Sequence, residues 1–323
     1  MIEIQGPQAY ARLVVEARER FEPRDVERLG MGLLRKLRQI NDVPVLVVAS
    51  WLSPRTRELL AAEGLNYLDL TGNAQIRLNA PALFLSSEGS ARNPAPVPPG
   101  SVKLRGRKAA RLIRLLTDVR PPYGVGQVAA ATGLTQGYVS RLLDSLDREA
   151  LIDRSPRGGV ETVEVVALVR RWAESYDVLG TNGARWFIAP NGAESAMRGI
   201  ASLASEQRVA VTGSFAAVRM APVAAPALMM AYCDAIDATA DTLGLLPADE
   251  GANVILLEPF DSVAWRYATE EGGVVFAAPS QVAVDCLTGT GRMPAEGEAL
   301  LRWMESNERS WRARSLDFWG DSA

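Results

Sequence analysis

The 323-residue chain contains no histidine. That absence excludes Ser-His-Asp and Cys-His activation of a nucleophile, together with every histidine-ligated metal site. Cysteine is almost as scarce: Cys233 and Cys286, 53 residues apart, form neither a disulfide framework nor a zinc pattern, and read as small buried apolar residues. Lysine occurs only at positions 36, 103 and 108. No apolar run reaches the roughly 18 residues that a membrane-spanning helix needs. The opening MIEIQGPQAYARLVVEARER also lacks the basic-then-apolar layout of a secretory signal, so a cytoplasmic location away from membranes is expected. Three options survive: carboxylate-metal chemistry, Lys or Tyr acid-base work, or no catalysis.

What is present is an ordinary globular composition, 48% hydrophobic and 23% charged, in a chain long enough for two or three domains. The net charge of −3 hides an uneven partition. Residues 1–100 carry 12 basic and 11 acidic side chains (+1), 101–160 carry 11 and 5 (+6), and 161–323 carry 12 and 22 (−10). A basic block between a neutral and an acidic one is the electrostatic footprint of a nucleic-acid-binding module inside a larger protein. Four prolines and two glycines in SSEGSARNPAPVPPGS, residues 86–101, mark a linker ahead of that block. A second boundary falls near YDVLGTNGARW, residues 176–186, where a helical pattern gives way to glycine and asparagine. These boundaries predict domains over 1–92, 102–178 and 183–323.

The basic block opens with VKLRGRKAARLIRLLTDV, a helix whose apolar stripe is Leu112, Ile113, Leu115, Leu116 and Val119, with basic residues on the rest. PPYGVGQVAAATG predicts a short Ala-rich second helix stopped by Gly133. Leu134 and Thr135 complete a tight turn, with Thr135 as N-cap of a third helix. In that helix Val139, Leu142, Leu143 and Leu146 fall at i, i+3, i+4 and i+7 on one face, while Gln136, Gly137, Ser140 and Arg141 cluster on its first turns. The run DRSPRGGVETVEVV then reads as two short strands about a Gly-Gly turn, with Arg154 and Arg157 near the tip.

Helix, helix, tight turn, helix and basic hairpin is the order of a winged helix-turn-helix, and GLTQGYVSRLLDSLDREALI closely resembles that family from its second helix to its wing. The resemblance covers about 65 residues and implies binding of double-stranded DNA, with the third helix entering the major groove by its N-terminus. It places Thr135, Gln136, Gly137, Tyr138, Ser140 and Arg141 at the DNA, with Arg154 and Arg157 on the wing. Arg107, Lys108 and Arg111 suit backbone positioning better than base reading. Arg141 has a competing role as an intrahelical partner of Asp144 at i+3. Asp144, Asp147 and Glu149 would repel phosphate and are expected to face away from it.

The first block predicts a helix with an apolar stripe at Val26, Leu29, Leu33, Leu37 and Ile40, then a buried strand VPVLVVA. SPRTRELLAAEG follows as a helix opened by Ser53 and Pro54 and closed by Gly64, and NYLDLTGNAQIRL and ALFLSS add strands. The stretch VLVVASWLSPRTRELLAAEGLNYLDLTGNAQI is similar to the second half of restriction-endonuclease-like domains. That chemistry needs an acidic residue and an acid-x-Lys strand around a divalent metal. No such strand is present, Lys36 sits on an amphipathic helix, and the chain ahead of Val43 leaves no room for the metal-binding hairpin, so a degenerate, catalytically empty domain is expected. Asp69 and Asn73 read as polar contacts or as the ends of a turn.

The acidic block alternates strands in RVAVTGSFAAV, NVILLEPF and GGVVFAAPSQVAVDCL with helices such as EGEALLRWMESNERSW, a mixed α/β pattern. VTGSFAA is similar to the Gly-Ser opening of nucleotidyltransferases, whose metal needs two carboxylates one residue apart. The first acids downstream, Asp234 and Asp237, lie 20 and 23 residues past Ser214, so a strand-end turn is the competing reading of Gly213 and Ser214. RVAVTGSFAAVRMAPVAAPAL, GANVILLEPFDSV and APSQVAVDCLTGTGRMPAEGEALLRWM together resemble the C-terminal domain of AbiEi-type antitoxins of type IV toxin-antitoxin systems. That resemblance implies a DNA-binding repressor whose partner toxin is a nucleotidyltransferase. The expected fold is therefore α/β plus winged helix: an endonuclease-like α/β domain, a winged helix-turn-helix and a C-terminal mixed α/β domain. The expected functions, in order, are a sequence-specific transcriptional regulator without catalytic, metal or cofactor site, an antitoxin, and a metal-dependent nuclease or nucleotidyltransferase. Expected partners are double-stranded DNA, with a homodimer and a toxin left open.

Overall fold

A computed structural model describes residues 2–5, 10–29, 43–94, 104–203, 207–316 and 319. Its contacts define two compact units: Met1–Ser101 with Asp144–Ala150, and Val102–Leu143 with Leu151–Ala323. Segment 102–178, apart from Asp144–Ala150, falls in the same unit as 183–323. No helix among the described residues is long and apolar enough to cross a membrane.

The first unit begins with a hairpin, β1 (Ile2–Gln5) and β2 (Tyr10–Arg18), so the stretch ahead of Val43 does accommodate one. The missed signal was alternation: Ala11 and Leu13 are buried while their neighbours Tyr10 and Arg12 are exposed. Next come α1 (Pro23–Leu29), β3 (Val45–Ala49), α2 (Pro54–Ala62), β4 (Asn66–Asp69), β5 (Ala74–Asn79) and β6 (Ala82–Ser87). The six strands form one sheet in sequence order, with β2, β3 and β4 parallel and the outer pairs antiparallel. Strict period 2 in β3 sends Val45, Val47 and Ala49 into one core with Val26, Leu29 and Leu60, and Leu46 into a second with Leu13 and Leu78. Val26 and Leu29 thus belong to the predicted stripe, whose remaining members, Leu33, Leu37 and Ile40, lie outside the described residues with Lys36. Ser53 caps α2 as expected, its side chain accepting from the Thr56 amide at 3.0 Å.

The expected linker is shorter than its composition implied, because residues 86–87 end β6 and the next few fold back on the β4–β5 turn. Asn73 Nδ2 donates to the Ser90 carbonyl at 3.1 Å and the Gly89 amide donates to Asn73 Oδ1 at 2.9 Å. Asp69 is the hub of that turn. It accepts from the Thr71 and Asn73 amides, the Thr71 hydroxyl, Asn73 Nδ2 and the Leu52 amide, all within 2.7–3.1 Å.

In the second unit α3 (Arg107–Asp118), α4 (Val125–Thr132) and the first eight residues of α5 (Gln136–Arg148), whose end from Asp144 belongs to the first unit, precede the antiparallel pair β7 (Ile152–Arg154) and β8 (Val160–Val163). Helices α6 (Val165–Ala173) and α7 (Val178–Thr181) lead to β9 (Gly183–Ile188), α8 (Ala193–Ile200), β10 (Val209–Thr212) and α9 (Ser214–Ala217). Then follow β11 (Met229–Cys233), α10 (Ile236–Thr242), β12 (Leu246–Pro247), β13 (Val254–Glu258), β14 (Thr269–Glu271) and β15 (Val274–Phe276). The chain closes with α11 (Pro279–Leu287), α12 (Met293–Ser306) and α13 (Glu308–Trp311). The strands build a seven-stranded mixed sheet in the order β12-β9-β13-β11-β10-β15-β14.

Four of its strands, β9, β11 and the short β12 and β14, lie outside the segments expected as strands. The expected strand GGVVFAAPSQVAVDCL divides into β15 and α11, because Pro279 opens a helix and every residue from Ser280 to Cys286 is buried. A helix covered on all sides shows no amphipathic period and reads like a buried strand.

Candidate nucleic-acid interface

The three helices are assembled from the sequence signals that predicted them. Gly106, with φ 85°, precedes α3 in a conformation that a side chain would resist. All of Leu112, Ile113, Leu115, Leu116 and Val119 are fully buried. Gly133 closes α4 in the left-handed region at φ 68°, and the Leu134 amide returns to the Ala129 carbonyl at 3.1 Å. Thr135 Oγ1 accepts weakly from the Tyr138 amide at 3.4 Å, opening α5. Val139, Leu142, Leu143 and Leu146 are fully buried, so the inner face of α5 is fixed and its outer face follows.

On that outer face Thr135, Gln136, Gly137 and Arg141 are exposed, while Tyr138 and Ser140 are half-buried. Space beside Gly137 is open: nothing stands within 4 Å of where a Cβ would be. Burial raises the Tyr138 hydroxyl pKa, and the positive charge of Arg141 opposes that rise. Asp144 is also exposed, one turn beyond Arg141 on the helix.

The hairpin that follows α5 is tied to the loop before α4, where Tyr123 and Val160 exchange both backbone hydrogen bonds, at 3.2 and 2.9 Å. Its tip separates the two arginines assigned to it. Arg157 is exposed, whereas Arg154 turns inward, donating from Nε and Nη2 to the Gly158 carbonyl at 3.0 and 2.7 Å. Gly158 sits at φ 84°, so the glycine supplies the turn and Arg154 closes it.

The four α3 cations also divide. Arg107 and Lys108 are exposed at the first turn. Arg111 is held in a bidentate pair, with Nε 3.0 Å from both oxygens of buried Asp261, which raises its pKa further. Its expected place on phosphate therefore becomes a tie to the C-terminal elements. Arg114, expected on a basic face, has no solvent exposure at all. It donates to Asp118 at 2.8 Å, to the Val263 and Arg266 carbonyls at 3.0 and 2.8 Å, and to Gln281 Oε1 at 2.8 Å. Gln281 passes the connection on to Asp285 at 2.9 Å, which also receives the Tyr176, Tyr232 and Thr212 hydroxyls. Burial pushes the Asp285 carboxyl up, and these donors oppose that rise.

The residues weighed for catalysis are dispersed. Ser214 Oγ donates to Glu296 Oε2 at 2.5 Å. Asp237 pairs with Arg185 at 2.6 Å, and Asp234 is exposed. Cys233 and Cys286 are both buried thiols; burial pushes Cys233 up to about 12. Among the described residues no group of three or more Cys, Asp or Glu could hold a metal ion.

Against known families, residues 107–156, from the start of α3 to the tip of the hairpin, match the IclR helix-turn-helix domain. No curated protein and no solved structure matches the chain. The chain thus carries a helix-turn-helix domain of the kind found in DNA-binding transcription regulators.

Proposed function

We propose that the protein is a sequence-specific regulator of transcription that binds double-stranded DNA and carries out no catalysis. The observation that carries this reading is the two-sided character of α5. Its inner face is locked by four fully buried aliphatic side chains, leaving Gln136, Gly137 and Arg141 exposed on the first turns. A helix fixed in that way can be inserted N-terminus first into a major groove, where Gln136 and Arg141 suit adenine and guanine edges. Arg107, Lys108 and Arg157 then meet phosphates, which fix register and carry no sequence information.

Titrating the full chain against the duplex upstream of its own gene, beside a shuffled duplex, tests the proposal. Nanomolar binding to the first and binding weaker by about 10³-fold or more to the second is expected at physiological salt. With about five phosphates neutralised, log Kd should rise with log salt at a slope near 4.5. Equal affinity for both duplexes would overturn sequence-specific regulation.

A further inference from the structure

Strand β6 is a bare sheet edge. It pairs with β5 on one side and with no other strand among the described residues, and all six of its residues, ALFLSS, are exposed. Natural edges are ordinarily blunted by charge, an internal proline or a bulge. β6 has no charge and no internal proline, and its register with β5 runs unbroken from Ala74 opposite Ser87 to Asn79 opposite Ala82. Each of its faces carries a large apolar side chain. Leu83 and Leu85 project with Leu78 and Ile76, to which they are paired, and exposed Leu68 extends that face through Ala74. Phe84, 65% exposed, projects from the other face, where Arg77 lies 5.2 Å from its ring centroid.

We propose that β6 pairs antiparallel with β6 of a second copy of this chain, about a two-fold axis through Phe84. The strand is self-complementary in that register and in no neighbouring one. An axis perpendicular to the sheet keeps each face continuous, so directly opposed residues must share a face. Centred on Phe84, the pairing sets Phe84 against Phe84 of the second copy, and Leu83 against Leu85 in both directions. Centred on Leu83 it would oppose Phe84 to Ala82, and centred on Leu85 it would oppose Phe84 to Ser86 and Leu83 to Ser87. Only the first arrangement gives every large apolar side chain of the strand another to pack on. Two six-stranded sheets become one continuous sheet, and the unpaired N–H and C=O groups of both edges are satisfied. The pairing stands without the DNA reading. If that reading also holds, the dimer presents two helix-turn-helix domains related by a two-fold axis, which suits a palindromic site.

Sedimentation velocity of the full chain without DNA reads the proposal directly. The wild type should sediment as a dimer, and Phe84→Lys and Leu85→Lys as folded monomers, because the first puts like charges directly opposite each other and the second sets a charge against Leu83 of the second copy. Independently, Phe84→Cys should form a disulfide-linked dimer under mild oxidation, since directly opposed Cβ atoms stand about 4.5–5.5 Å apart. Gln75→Cys, one strand further in on the same face, should not, being roughly 20 Å from its copy, three strand spacings across and four residues along. The native thiols are buried and take no part. A monomeric wild type, a dimer that survives both lysine substitutions, or cross-linking at position 75 in place of 84 would each overturn the pairing. Loss of DNA binding with the dimer intact would count against the regulatory reading alone.

Discussion

Arg114 and Asp118 face each other across one turn of α3 at 2.8 Å, with side-chain exposures of 0% and 2%. A buried ion pair is costly to desolvate, and this one persists because each polar atom of both groups has a hydrogen-bond partner. Arg114 reaches two carbonyls and Gln281, while Asp118 accepts the Ser280 hydroxyl. Replacing Arg114 with Met strands a buried carboxylate and should cost about 3–5 kcal/mol of unfolding free energy in urea. Burial already pushes the Asp118 carboxyl above its usual range against the pull of Arg114. Without that pull it should protonate more readily, so the deficit of Arg114→Met should shrink as the pH is lowered. A pH-independent deficit would mean that Asp118 is not the group left stranded.

The arginines of the DNA-facing domain should separate in the same assays. Arg141→Ala and Arg157→Ala remove exposed cations and should each weaken binding to the specific duplex by about 1–3 kcal/mol with melting unchanged. Arg111→Ala breaks the Asp261 pair and should lower the melting temperature while leaving duplex affinity less affected than either. Equal affinity losses for all three would return Arg111 to the phosphates.

The helix-turn-helix was legible because each of its parts carries a local signal: an i, i+3, i+4, i+7 stripe, a glycine stop and a Gly-Gly turn. What could not be read locally was which cations are free. Arg111 and Arg114 look like Arg107 and Lys108 in sequence, and only partners some 150 residues away, Asp261, Val263, Arg266 and Gln281, distinguish them. The same applies to α11, whose buried polar residues Ser280, Gln281 and Asp285 erase the helical period. In the first unit, β2 was missed although Ala11 and Leu13 alternate correctly, because VVEAR after them fits either period.

Acid should loosen the first unit through Asp69. Burial alone would raise its pKa, but the hydrogen bonds from Thr71, Asn73 and the Leu52 amide outweigh that and hold it below the usual 3.8. A depressed native pKa contributes stability that is present above the unfolded value and is lost as pH falls through the native one. Asp69→Asn keeps the shape of the group and removes the titration. The variant should therefore be less stable than wild type at neutral pH, and the gap should close below about pH 4. Hydrogen exchange of the Thr71 and Asn73 amides reads the turn itself; a gap that stays constant down to pH 2 would assign the acid sensitivity elsewhere.

Gly213 separates a structural from a catalytic reading of the Gly-Ser pair. It ends β10 at φ 64° and ψ −149°, a region that only glycine occupies without strain. A Cβ there would stand 3.1 Å from Met293 Cε and 3.4 Å from Met230 Cβ. Gly213→Ala should therefore cost about 1–3 kcal/mol of stability through backbone strain alone. Ser214→Ala loses the hydrogen bond to buried Glu296 and leaves that acceptor without its donor, which should cost about 1–3 kcal/mol. Both losses should appear in denaturant midpoints, while the folded variants keep wild-type affinity for the specific duplex. Intact midpoints combined with loss of a magnesium-dependent nucleotide-transfer activity would make the pair a catalytic element and end the non-enzymatic reading.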